Sequence, residues 1–251
     1  MTYDPRFTAV PDGWEVMSEE LYRRAHETTW AALHHEQVVD RVARYYSRKG
    51  DFAGATFLTV GPVDPHHWTT GDLLALTLLD VQASPAVVRR LTEPSPTGEE
   101  LERMLADNCL PVDSDLALAE AALLERMATF HEAVRRALSP TESANSNPWV
   151  TASKLTARKR PDLFPVRDSV VCGYLGLDTG RKQNYQVDWQ VFRRLLQDDG
   201  VRAQLDQVVD EAARRPGVDV GSPNRRLRHL DVVLWMHARR GAGVGDPETA
   251  G

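Results

Sequence analysis

Apolar residues recur at helical spacing along most of the chain, with proline, glycine and short polar runs as the interruptions. The stretch "SEELYRRAHETTWAALHHEQVVDRVARYYSR", beginning at Ser18, sets Trp30, Leu33, Val38, Val42 and Tyr45 at roughly helical intervals. That spacing predicts an amphipathic helix with Ser18 as N-cap and a break near His34–Glu36. Before it, residues 1–16 are punctuated by Pro and Gly and are predicted to be irregular. "GDFAGATFLTVGPVDPHH" is too rich in Gly and Pro for a helix, so its "ATFLTV" reads as a short strand or an extended link. In "TTGDLLALTLLDV" the apolar residues lie nearly all round, which predicts a central core helix capped by Thr69, Thr70 or Asp72. "SPAVVRRLTE" places Ser84 at an N-cap and Pro85 at the first helical position. After a "PSPTG" loop, "EELERMLADN" and "LALAEAALLERMATFHEAVRRAL" have the composition of helices.

The polar run "SPTESANSN" separates these from a second group. Asn147 and Pro148 open a helix predicted to reach Lys159, and "KRPDLFP" stops it, because proline cannot continue a helix and restricts the residue before it. Asp168 is placed to cap "SVVCGYLG", which ends at Gly176. "DTGRKQNY" is a loop; "VDWQVFRRLLQDDGVRAQLDQVVDEAARR" supplies one or two helices with a break near Gly200; and "RRLRHLDVVLWMHARRG" closes the domain. There is no internal repeat. The expectation is an all-α protein with at most a short strand: an irregular segment over 1–16, one multi-helix domain over 17–240, and a disordered tail over 241–251.

Composition adds exclusions. Among the 251 residues no apolar run approaches the ~20 needed to span a bilayer, and the N-terminus lacks the basic-then-apolar order of a secretory signal. A cytoplasmic protein with no membrane partner is the expectation. The two cysteines, Cys109 and Cys172, form no C-x-x-C pair, and the histidine pairs 34–35 and 66–67 do not complete a ligand set, so neither metal nor cofactor is expected. Nucleotide-binding glycine motifs and the nucleophile elbow are absent, and the lone Asp178-Thr179-Gly180 is a chance match to an aspartic-protease tripeptide.

Charge is unevenly spread. Residues 1–150 carry 13 Lys/Arg against 23 Asp/Glu, a net of −10, whereas 151–195 carry 9 against 4, a net of +5. The chain has only four lysines, and two of them, Lys154 and Lys159, fall in "TASKLTARKRPDLFPVRDSVV". On a helix Lys154 and Arg158 share a face, and the turn through Pro161 and Pro165 brings Asp168 back to the same side. One reading is structural: Asp168 is a helix cap, and the cations form a solvated face or pair with Asp162 and Asp168. The other is chemical. A lysine amine and an aspartate facing one cleft can act as nucleophile and as stabiliser of a cationic transition state, with Arg158, Lys159, Arg160 and Arg167 holding phosphates.

"WVTASKLTARKRPDLFPVRDSVV", with the later "RHLDVVLWMHAR", resembles the bacterial family catalogued as domain of unknown function 6308, over about Tyr45 to Arg239. That family implies no activity, but it joins the basic segment and the closing helix in one domain. The layout "SKLTA…LFPVRDSVVCGYLG" is also similar to the helix-hairpin-helix DNA glycosylases, which carry a lysine in a "K-T-A"-like helix start and an aspartate in a "P-V-D-T-H-V" string. This resemblance implies that Lys154 is the attacking amine and Asp168 the helix-capping catalytic carboxylate, with DNA as partner. The chain departs from that pattern before the lysine, where "ANSNPWVTAS" holds none of the hairpin glycines, and at Arg167, where the string has valine. A non-enzymatic helical module that binds another protein, and a site for a small phosphorylated ligand, are the competing expectations.

Overall fold

Helices form where apolar periodicity meets a capping residue, and they stop at proline, glycine or a carbonyl-rich turn. The computed structural model describes residues 5–139, 148–177 and 185–241. Among them the secondary structure is helical apart from one isolated bridge between Ser47 and Val218. The long N-terminal pattern divides into α1 (Glu19–Leu33), capped by Ser18 Oγ, and α2 (Val38–Tyr45), with the break where the pattern placed it. Residues 56–59, expected to be extended, instead make the single helical turn α3 (Thr56–Thr59), which buries Phe57. α4 (Thr70–Thr77) is shorter than its apolar run, and Leu74 on it is exposed, so it is a two-turn helix and not a central rod. α5 (Pro85–Thr92) follows its Ser84 cap, and α6 (Pro96–Met104) takes Ser95 as cap, drawing most of the expected loop into helix.

Leu116–Leu118 form a 3₁₀ turn ahead of α7 (Ala121–Leu138). α8 (Trp149–Lys159) has Pro148, the expected first helical residue, in the N-cap position instead, so it starts one residue late, while Asn147 lies outside the described residues. α9 (Ser169–Leu175) has Asp168 as N-cap, its Oδ1 accepting from Val171 N at 2.9 Å, and ends at left-handed Gly176. The break between α10 (Tyr185–Gln197) and α11 (Asp199–Ala213) falls at Asp198, which caps α11, leaving Gly200 inside the helix. α12 (Arg226–Gly241) closes the structure; most of the expected tail, residues 242–251, lies outside the described residues. One continuous hydrophobic cluster joins these elements, with α8 between α7 and α4, and α12 packed on α1, α2, α9 and α11. The all-α expectation holds.

The 57–67 segment, helical only through the single turn of α3, needs backbone donors, since few of its carbonyls are served by helix. They come from α8. Arg158 donates to the carbonyls of Phe57 and Val60, Lys159 to those of Asp64 and His67, and Arg160 to those of Pro65, Leu105 and Leu110. Asp72, buried at the start of α4, accepts from Thr69 N and pairs with both Arg158 and Lys159. A single carboxylate thereby compensates two buried cations while also capping its own helix.

Removing it leaves those cations without a counter-charge, which costs about 3–5 kcal/mol for a buried pair. Asp72→Ala is therefore expected to lower the melting temperature by roughly 10 °C. Asp219→Ala, which breaks the exposed pair with Arg48, is expected to stay within about 2 °C of the parent. Thermal unfolding followed by circular dichroism checks both.

Candidate functional site

The C-terminus of α2, the turn after α4, α8, the start of α9 and α12 enclose a cleft of about 730 Å³. Lys154 comes to it from the middle of α8, Asp168 from the N-cap of α9, Asp231 and Trp235 from one face of α12, and Tyr45 and Phe52 from the end of α2 and the turn beyond. Lys154 and Asp168 thus reach the same cleft, and each influences the charge of the other.

Lys154 Nζ donates to the Leu79 carbonyl at 2.6 Å. Burial holds its amine below the ordinary lysine range, opposed by the carboxylates of Asp168 and Asp80; Arg228 adds to the lowering. Desolvation pushes the Asp168 carboxyl up, while the hydrogen bonds of Val171 and Val170, the Lys154 charge and a hydrogen bond from Trp235 work in the other direction. Tyr45 and Phe52 stack with ring centroids 5.7 Å apart, and Trp235 meets both edge-on at 6.1 and 5.9 Å. These rings give the cleft an apolar, planar wall. Arg239 lies over both Phe52 and Trp235 at the wall, and Lys49 is exposed among the lining residues.

Beneath them, Arg228 Nη2 donates to Tyr45 Oη at 2.5 Å. Asp231 Oδ2 accepts from Val166 N at 2.7 Å, while its Oδ1 has no hydrogen-bond partner. Burial pushes the Asp231 carboxyl up to about 7, against the pull of the Val166 bond and Arg228; Asp168 reinforces the rise.

The expected phosphate-holding face is not formed. Arg158, Lys159, Arg160 and Arg167 are all buried, the first three on the carbonyls and carboxylate described above, and Arg167 on Asp188, with Nε donating to Oδ2 at 2.6 Å. A guanidinium whose donors are turned onto interior acceptors presents none to an external phosphate. Around the start of α12, Arg225 and Arg226 likewise pair with Asp162 and Asp206, and Arg228 is buried on Tyr45. The sequence pattern also missed the aromatic wall and the two further carboxylates, Asp80 and Asp231. Asp231 and Trp235 carry a signal, the i, i+4 spacing that sets both on one side of α12; Asp80 carries none. No group of three or more His, Cys, Asp or Glu among the described residues is arranged to hold a metal, and no helix among them is long and apolar enough to cross a membrane.

A family model described as "Family of unknown function (DUF6308)" matches residues 38–238. The chain belongs to that family. No curated protein and no solved structure matches it.

The raised Asp231 carboxyl has a consequence for stability. The native state binds this proton more tightly than the unfolded chain, whose carboxyl titrates near about 4. Its contribution is greatest at low pH and is lost as pH rises through the window from about 4 to about 7. Asp231→Asn keeps an acceptor for Val166 N and removes the titration. Denaturant unfolding at a series of pH values is expected to show the variant gaining on the parent between pH about 4 and about 7; a constant difference would contradict an ionisable, buried Asp231.

Proposed function

Taking membership of this family as the premise, we propose that the cleft is a glycosylase-like active site, with Lys154 as the attacking amine and Asp168 as the carboxylate that steadies a cationic sugar. The single observation carrying the reading is the meeting of a buried lysine and a helix-capping aspartate in one aromatic-walled cleft. A base turned out of a nucleic acid offers a flat face to Phe52 and Trp235. The neutral Lys154 amine keeps one N–H on the Leu79 carbonyl and presents its lone pair to C1′ of the sugar. The N–C1′ bond forms as the glycosidic bond breaks, and the base leaves with the bonding pair and takes up a proton. Loss of a proton from the nitrogen and opening of the ring then give an imine. Burial, which lowers the Lys154 amine, favours the unprotonated form this step needs.

Phosphate contacts in this reading come from Lys49 and Arg239 at the cleft, in place of the buried cations. A cytoplasmic setting goes with it, and the free thiols Cys109 and Cys172 agree with a reducing compartment. The Lys154–Leu79 bond also fits a purely structural role, a lysine capping the C-terminus of α4.

Borohydride trapping separates the two. Incubated with a duplex containing an abasic site and sodium borohydride, the protein is expected to form a covalent adduct that peptide mapping places on Lys154. Lys154→Ala should abolish it, and Asp168→Asn should slow release of a damaged base by about 10²-fold. Absence of any adduct, with a lowered melting temperature for Lys154→Ala, would leave Lys154 as a helix cap and favour a helical module that binds another protein.

A further inference from the structure

Asp80 is the described non-glycine residue with a left-handed backbone, at φ 57°. The chain after α4 closes as a Schellman motif, with Asp80 N bonded to Thr77 O at 3.2 Å and Val81 N to Leu76 O at 3.1 Å. Glycine is the ordinary occupant of that position, because a Cβ there is strained. Here the place is filled by an aspartate whose exposed carboxylate makes no hydrogen bond or ion pair among the described residues. Stability therefore does not account for the choice. Its location does. Asp80 lines the cleft, and the residue before it, Leu79, supplies the carbonyl that holds Lys154 Nζ at 2.6 Å. One turn of backbone fixes both the amine and a solvent-facing carboxylate beside it.

We propose that Asp80 is a positioning residue of the cleft, keeping Lys154 charged and seated on the Leu79 carbonyl while the cleft is open to solvent. Three charged groups act on Lys154: Asp168 from the N-cap of α9, Asp80 from the turn after α4, and Arg228 from α12; Asp231, whose carboxyl Asp168 influences, lines the same cleft. The half-buried Asp168 is committed to helix N–H groups and Trp235. Asp80, exposed at the turn, makes no such commitment. The role deepens the proposed amine chemistry, which needs an unprotonated Lys154, and it rests on that reading for its purpose but not for its measurement.

The test is a titration of Lys154 itself. The chain contains four lysines, so protein grown with lysine labelled with ¹³C at Cε gives a small set of NMR signals, assigned by Lys154→Arg. Asp80→Asn tolerates the left-handed backbone and removes only the charge, and Asp80→Gly removes charge and strain together. Both are expected to lower the Lys154 midpoint by about half a pH unit or more, with Asp80→Gly melting no lower than the parent. An unchanged midpoint in both variants would overturn the assignment. Because the signal reports the amine and not turnover, a failed trapping experiment would sink the glycosylase-like reading and leave this result standing; an unchanged midpoint would do the reverse.

Discussion

Cations placed inside a protein must find acceptors there, and in this chain that requirement joins two halves of the fold. Arg158, Lys159 and Arg160 leave the end of α8 and serve the carbonyls of residues 57–67 and of Leu105 and Leu110, with Asp72 as counter-charge. A segment too rich in Gly and Pro to satisfy its own backbone is thereby given a fixed course. α4 follows that segment, and the turn ending α4 carries Leu79 and Asp80 to one side of the cleft. The position of Lys154 one helical turn before Arg158 then means that the contacts anchoring α8 also aim the lysine.

The same arrangement explains why Arg158, Lys159, Arg160 and Arg167 build no outward-facing positive surface. Net charge by segment counts side chains without regard to where their donors point. Arginine, with five donors in a planar fork and a charge that persists on burial, is suited to bundling several carbonyls at once, and Arg160 does so with carbonyls of four residues. Lys154 differs from its neighbours in reaching a cleft with a carboxylate on either hand and making one bond to the protein's own backbone.

Much of the fold was legible in the sequence because it depends on local rules. Ser18, Ser84 and Asp168 are caps by side-chain chemistry alone, and each caps the helix expected of it. The places that departed from expectation are those decided by distant partners. Residues 56–59 turn helical over a buried Phe57 whose carbonyl is claimed by Arg158, 101 positions away. The convergence of Lys154 and Asp168 was readable from helix, turn and helix. The aromatic wall was not, since Tyr45, Phe52 and Trp235 come from opposite ends of the chain, and Asp80 was not, since a left-handed aspartate leaves no periodic trace.

The chemistry proposed for the cleft depends on the basic segment turning inward and leaving Lys154 alone of its cations open to the cleft. Brief trace acetylation of the native protein, read lysine by lysine by mass spectrometry, tests that arrangement most directly. Labelling is expected at Lys49 and, more slowly, at Lys154, with Lys159 protected until denaturant is added. Labelling of Lys159 at the rate of Lys49, or protection of Lys154 equal to that of Lys159, would contradict the account.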